Sequence, residues 1–115
     1  MAYAPYKEDE TTTAPALDEV GQLLLKAAGV VRQRGWCQGS FEATDGRMCA
    51  VGALLHAANC CRSVTKFPES LNGAVGAFAR QIDAENITVW NDVHGRTAAE
   101  VVAAFEAAAV SHRGV

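Results

Sequence analysis

The run from Cys49 to Cys61 constrains the fold most, because only His56 and Asn59 interrupt an otherwise apolar or small-residue stretch. Wound as a helix, it has almost no polar face to give to water, so it predicts a central, most-buried helix at about Cys49–Cys61. The rest of the chain must then supply the elements that cover it. A chain of 115 residues buries roughly two-thirds of its unfolded surface, enough for one core and not for two. The expected organisation is a flexible polar arm over residues 1–13 and a single helical domain over residues 14–115. The arm is threonine-rich and carries Pro5 and the acidic triplet Glu8, Asp9 and Glu10.

The covering helices show themselves by period. Leu17, Val20, Leu24, Ala27 and Val31 recur at three- and four-residue steps, with Asp18 and Glu19 at the start and Arg32 and Arg34 at the end. Gly35 is the natural residue to end that helix. Pro68 suits the first turn of another, with Leu71, Val75, Phe78, Ala79 and Ile82 along one face and Gly73, Gly76 and Ala77 allowing close approach of a neighbour. Thr97 and Glu100 are spaced as a capping box for a last helix through Val101, Phe105 and Ala109.

Two stretches lack the helical period. Residues 36–47 carry Asp45-Gly46, a two-residue turn signal, and predict a small β-hairpin or an extended loop. Ile87 and Val89 alternate with Thr88 and Trp90, a period of two that suggests a short strand pairing with it. The expected fold is therefore mainly α, about four helices packed as a compact single domain with a small β-hairpin or a short two- to three-stranded element.

Charge and composition narrow the function classes. The net charge is −3 and the ten Lys and Arg are scattered singly, so there is no electrostatic footprint for nucleic acid or anionic lipid. The apolar runs fall short of the roughly 18 residues that span a bilayer. The N-terminus has the wrong composition for a secretory signal. A cytoplasmic setting is expected, with the four cysteines as thiols. No Walker loop, Rossmann glycine pattern, nucleophile elbow or zinc-protease helix occurs, and no cofactor is expected.

Three motifs taken together resemble a known family. Trp36-Cys37-Gln38-Gly39, then Met48-Cys49-Ala50-Val51-Gly52-Ala53-Leu54, then Trp90-Asn91-Asp92 with Gly95-Arg96-Thr97 are similar to small uncharacterised proteins encoded by actinobacteria and their bacteriophages. The resemblance covers about residues 18–110. It implies a small, freestanding bacterial or phage protein in the cytoplasm of its cell or host, and brings no activity, cofactor or catalytic residue with it.

Three constellations could carry chemistry. Cys49 at a helix start, with His94 as base and Asp92 or Asn91 orienting it, has the composition of a cysteine hydrolase or transferase. The plain alternative is a small buried residue and an unrelated loop histidine. His56 and Cys60, one helical turn apart, could share a zinc ion with Cys37 from the loop, but no Cys-x-x-Cys pair accompanies them. Their alternative is a buried cysteine row beside a core histidine. The two tryptophan loops place Trp36, Gln38, Trp90, Asn91, Asp92 and Arg96 where they could line a pocket for a ligand or partner. The competing reading makes the same residues turn formers and packing.

The leading expectation is a non-enzymatic interaction protein that binds a protein or small molecule. The cysteine enzyme and the zinc-stabilised domain are the alternatives. The last helix is apolar on most of its circumference, which fits either a central place in the fold or a homodimer interface.

Overall fold

A computed structural model describes residues 18–59 and 68–113. Five helices follow in chain order: α1 (Glu19–Arg34), α2 (Ala50–Ala57), α3 (Glu69–Ile82), α4 (Ile87–Asn91) and α5 (Ala98–Arg113). The expected arm at residues 1–13 lies outside the described residues, as do Leu17, Cys60 and Cys61.

Helix α1 starts where Asp18 Oδ1 accepts a hydrogen bond from Gly21 N at 2.9 Å. That bond fills one of the backbone donors every helix start leaves open. It buries Leu23, Leu24, Ala27, Ala28 and Val31 and packs against α5, α2 and α3 in turn. Helix α1 is thus the hub. Helix α2, expected at the centre, is buried along most of its length but is shorter than the sequence suggested. It ends at Ala57, followed by Asn59 at φ +57°, and His56 is exposed.

Helix α3 buries Leu71, Ala74, Ala77 and Phe78. Its Gly73 faces α1: a Cβ there would meet Val20 Cγ2 at 2.7 Å, so glycine lets the two helices come close. Helix α5 packs between α1 and α3, burying Val101, Phe105, Ala108 and Ala109. This double contact accounts for its wide apolar face. Its ends are tied down as well. Thr97 and Glu100 exchange the two capping-box bonds, at 2.9 and 3.2 Å, and His112 Nε2 lies 2.8 Å from Asp18 Oδ2 across the bundle. Arg32 of α1 pairs with Glu106 of α5. The bond from Gly21 N, with His112 next, holds the Asp18 carboxyl below its ordinary pKa.

The expected β element does not form among the described residues. In its place Met48 makes two isolated bridges, one to Trp36 and one to Glu42. The Asp45-Gly46 turn does fold the chain back, with Gly46 N donating to Ala43 O at 2.9 Å. However, pairing stops after one residue on each side. Ile87–Trp90, expected as a strand, belongs to α4. Asn86 caps that helix through a 3.1 Å bond from Val89 N. The inward side chains are Ile87 and Asn91, four apart, at 6% and 0% exposure. A spacing of four is helical, and burial of that pair outweighs the strand preference of the β-branched residues.

No helix among the described residues is long and apolar enough to cross a membrane.

Candidate functional site

The two tryptophan motifs meet at Asn91, 55 residues along the chain from Trp36. A buried primary amide has two donor hydrogens and an acceptor oxygen, and leaving any of them unpaired is costly. Asn91 is fully buried and all are used. Its Oδ1 accepts from Trp36 Nε1 at 2.7 Å and from Ala50 N, in the first turn of α2, at 3.0 Å. Its Nδ2 donates to Cys37 O at 3.1 Å and to Asp92 Oδ1 at 2.9 Å. One side chain thereby joins α4, the 36–48 loop and the start of α2.

Around this node the loops lace together. Gln38 Nε2 donates to the carbonyls of Asn91 and Val93, both at 3.0 Å. Gly39 N donates to Asp92 Oδ1 at 3.1 Å. Trp90 stands edge-on to Phe78 with ring centroids 5.6 Å apart. The Arg96 guanidinium lies 4.0 Å over the Trp90 ring, and its Nε donates to Trp90 O at 3.1 Å. That guanidinium also faces Glu100 at 3.7 Å. Of the six residues expected to line a pocket, Trp36, Gln38, Trp90, Asn91 and Arg96 are therefore engaged in joining the loops to each other and to the core.

An open cleft does lie beside them. About 290 Å³ in volume, it is lined by Gly39, Ser40, Phe41, Cys49, Thr88 and Asp92. Asp92 is the one expected pocket residue among them. Thr88 and Asp92 are four apart, so the α4 turn sets them on one side. The opposite wall is held by Gly52. A Cβ at that position would sit 2.1 Å from Phe41 O, the same carbonyl that accepts from Cys49 N at 3.2 Å. Ser40, Phe41 and Thr88 were not legible as site residues. Thr88 was hidden by the strand reading, and nothing in the sequence marked Gly52 as the point where the loop comes close to α2.

Cys49 caps α2 with its sulfur, which accepts from Gly52 N at 3.3 Å. The side chain is buried, and burial pushes the thiol above its ordinary pKa. The bonds from Gly52 and Val51 pull the other way and do not prevail, and the Asp92 carboxylate adds to the rise. His94 is exposed on the loop and no hydrogen bond joins it to Cys49, so the expected dyad is not assembled, although Cys49 and Asp92 do share the cleft. Of the candidate zinc ligands, Cys37 is buried with its thiol 3.4 Å from Ser40 O and 3.5 Å from Arg47 O. His56 is exposed, and Cys60 lies outside the described residues. Among the described residues no three His, Cys, Asp or Glu side chains are grouped to hold a metal ion.

Residues 15–111 match the family of unknown function DUF6197. The chain belongs to that family. No curated protein and no solved structure is significantly similar to it. The DUF6197 match spans all five helices save the last residues of α5, together with both tryptophan motifs.

Proposed function

We propose that this DUF6197 chain is a small non-enzymatic binding protein whose ligand seat is the cleft between residues 39–41 and α4. One observation carries the reading: the cleft is bordered by the hydrogen-bond node at Asn91. Asp92, on the cleft wall, is bonded directly to Asn91 Nδ2 and to Gly39 N. A wall held this way is ordered before a ligand arrives, which lowers the entropic cost of binding. The cleft volume falls at the small end of ligand sites, roughly 300 Å³ and upward. The family resemblance adds the expected setting, the cytoplasm of an actinobacterium or of a phage-infected cell.

The test is a fragment screen by amide chemical shift on the ¹⁵N-labelled protein. Saturable shifts confined to Gly39–Phe41, Cys49, Thr88 and Asp92 support the reading. Hits that all map elsewhere sink it.

A second reading, a cysteine-dependent hydrolase or transferase, is favoured by the placement of Cys49 and Asp92 in one cleft. It requires a reactive thiolate, so rapid iodoacetamide labelling of Cys49 in the folded protein at neutral pH would promote it. Self-association is also part of the proposal. Helix α5 leaves Val110 63% exposed, and native mass spectrometry would show a doubled mass if two copies pair there.

A further inference from the structure

We infer that the cleft takes a ligand headed by an organic ammonium group on a short apolar stem, with Asp92 as its counter-ion. The inference rests on the cleft being the binding seat and specifies what it binds.

Charge decides the sign. None of the six lining residues is basic, and Asp92 is the sole ionised group among them, since the Cys49 thiol stays protonated. The carboxylate is also held in place. Two donors, Gly39 N and Asn91 Nδ2, hold Oδ1 at 3.1 and 2.9 Å. Among the described residues Oδ2 has neither a hydrogen bond nor a cationic partner. An anion would meet this carboxylate with no cationic side chain on the lining to offset the repulsion, so anionic ligands are disfavoured.

Geometry narrows the cation. A metal ion needs several ligand side chains, and the cleft has one carboxylate. An ammonium group has three N–H donors and no acceptor, and Asp92, Ser40 and Thr88, all on the lining, carry side chains of the accepting type. The apolar stem has its own surface. Phe41, partly buried and packed on the core, is among the lining residues.

An exposed ion pair contributes little, so binding is weak and a shift titration is the measurement suited to it. The probe is n-butylammonium chloride added to the ¹⁵N-labelled chain, with sodium chloride, n-butanol and sodium butyrate as controls. The expected result is saturable movement of the Gly39, Ser40, Thr88 and Asp92 amides with butylammonium alone. Asp92→Asn keeps an Oδ1 acceptor for Gly39 and Asn91, so the fold persists and the saturable response disappears. A lysine derivative blocked at both backbone ends carries the same group. Saturation by it as well assigns the chemistry to protein side chains too, and saturation by butylammonium alone assigns it to free amines.

The inference is overturned if butylammonium moves nothing at the cleft, if Asp92→Asn responds as the parent does, or if butyrate binds more tightly. Butanol or butyrate saturating at these same amides would leave the cleft as a binding seat and remove only the ammonium assignment. Fragments that all bind elsewhere would remove the seat itself.

Discussion

Asn91 Oδ1 accepts from the Trp36 indole at 2.7 Å while the same oxygen accepts from Ala50 N at 3.0 Å. The side chain therefore ties α4 to a loop and to the first turn of α2 at a single buried point. Truncation as Asn91→Ala leaves the Ala50 N–H, the Cys37 carbonyl and the Trp36 N–H without that partner. Each buried polar group left unpaired costs about 1–3 kcal/mol. The expected loss is about 3–5 kcal/mol by urea denaturation, allowing for some rescue by water. A loss below about 1 kcal/mol would mean the loops are held by packing and that the node is incidental.

Gly52 and Gly29 should respond to alanine with opposite signs. At Gly52 a Cβ would meet Phe41 O at 2.1 Å, whereas at Gly29, inside α1, nothing lies within 4 Å. Gly29→Ala is expected to stabilise by about 0.5–1 kcal/mol through helix propensity. Gly52→Ala gains the same propensity but must push the 39–41 wall off α2, for a net loss of about 1–3 kcal/mol, as overpacking does. Equal midpoints for the two variants in thermal melts would refute this account of the loop contact.

Thr97→Ala should cost about 1 kcal/mol, the usual value for a lost helix cap. The variant removes the acceptor of the 3.2 Å bond from Glu100 N and frees Glu100 from its reciprocal role. Because Glu100 also faces Arg96, Thr97→Ser, which keeps the hydroxyl, is the proper control and should restore most of the loss. Equal losses in both variants would point to the threonine methyl rather than the cap.

How far the sequence foretold this molecule depended on whether a signal was local. α1, α3 and α5 each bury one periodic face, and Asp18, Pro68 and Thr97 mark their starts, so their positions followed from spacing. α4 did not. Ile87 and Val89 favour a strand by their branched side chains, and it is burial of Ile87 with Asn91 that selects the helix, which only the rest of the fold can supply. The same limit applies at the site. The two tryptophan motifs stood out by composition, but the partition of labour between them is tertiary. Most of their residues join the loops, while the cleft is lined by the less conspicuous Ser40, Phe41 and Thr88 beside Asp92. A one-residue bridge at Met48 in place of a hairpin was equally out of reach, because a turn signal fixes the reversal and not the length of the pairing that follows.

The buried thiol of Cys49 predicts an alkaline limb in the stability curve. Its ordinary pKa is about 9.0 and burial raises it in the folded chain. With the folded value above the unfolded one, the unfolded chain releases its proton first. The stabilising contribution is therefore complete below about pH 9.0 and is lost as pH climbs through the raised folded value. Cys49→Ser retains a cap for α2 and does not ionise in this range. Urea midpoints of the two proteins, followed from pH 7.5 to about 10.5, a span bracketing the ordinary cysteine value, should fall more steeply for the parent. Parallel curves would show that the thiol ionises as easily in the fold as out of it. That outcome would restore Cys49 as a candidate nucleophile and reopen the enzymatic reading.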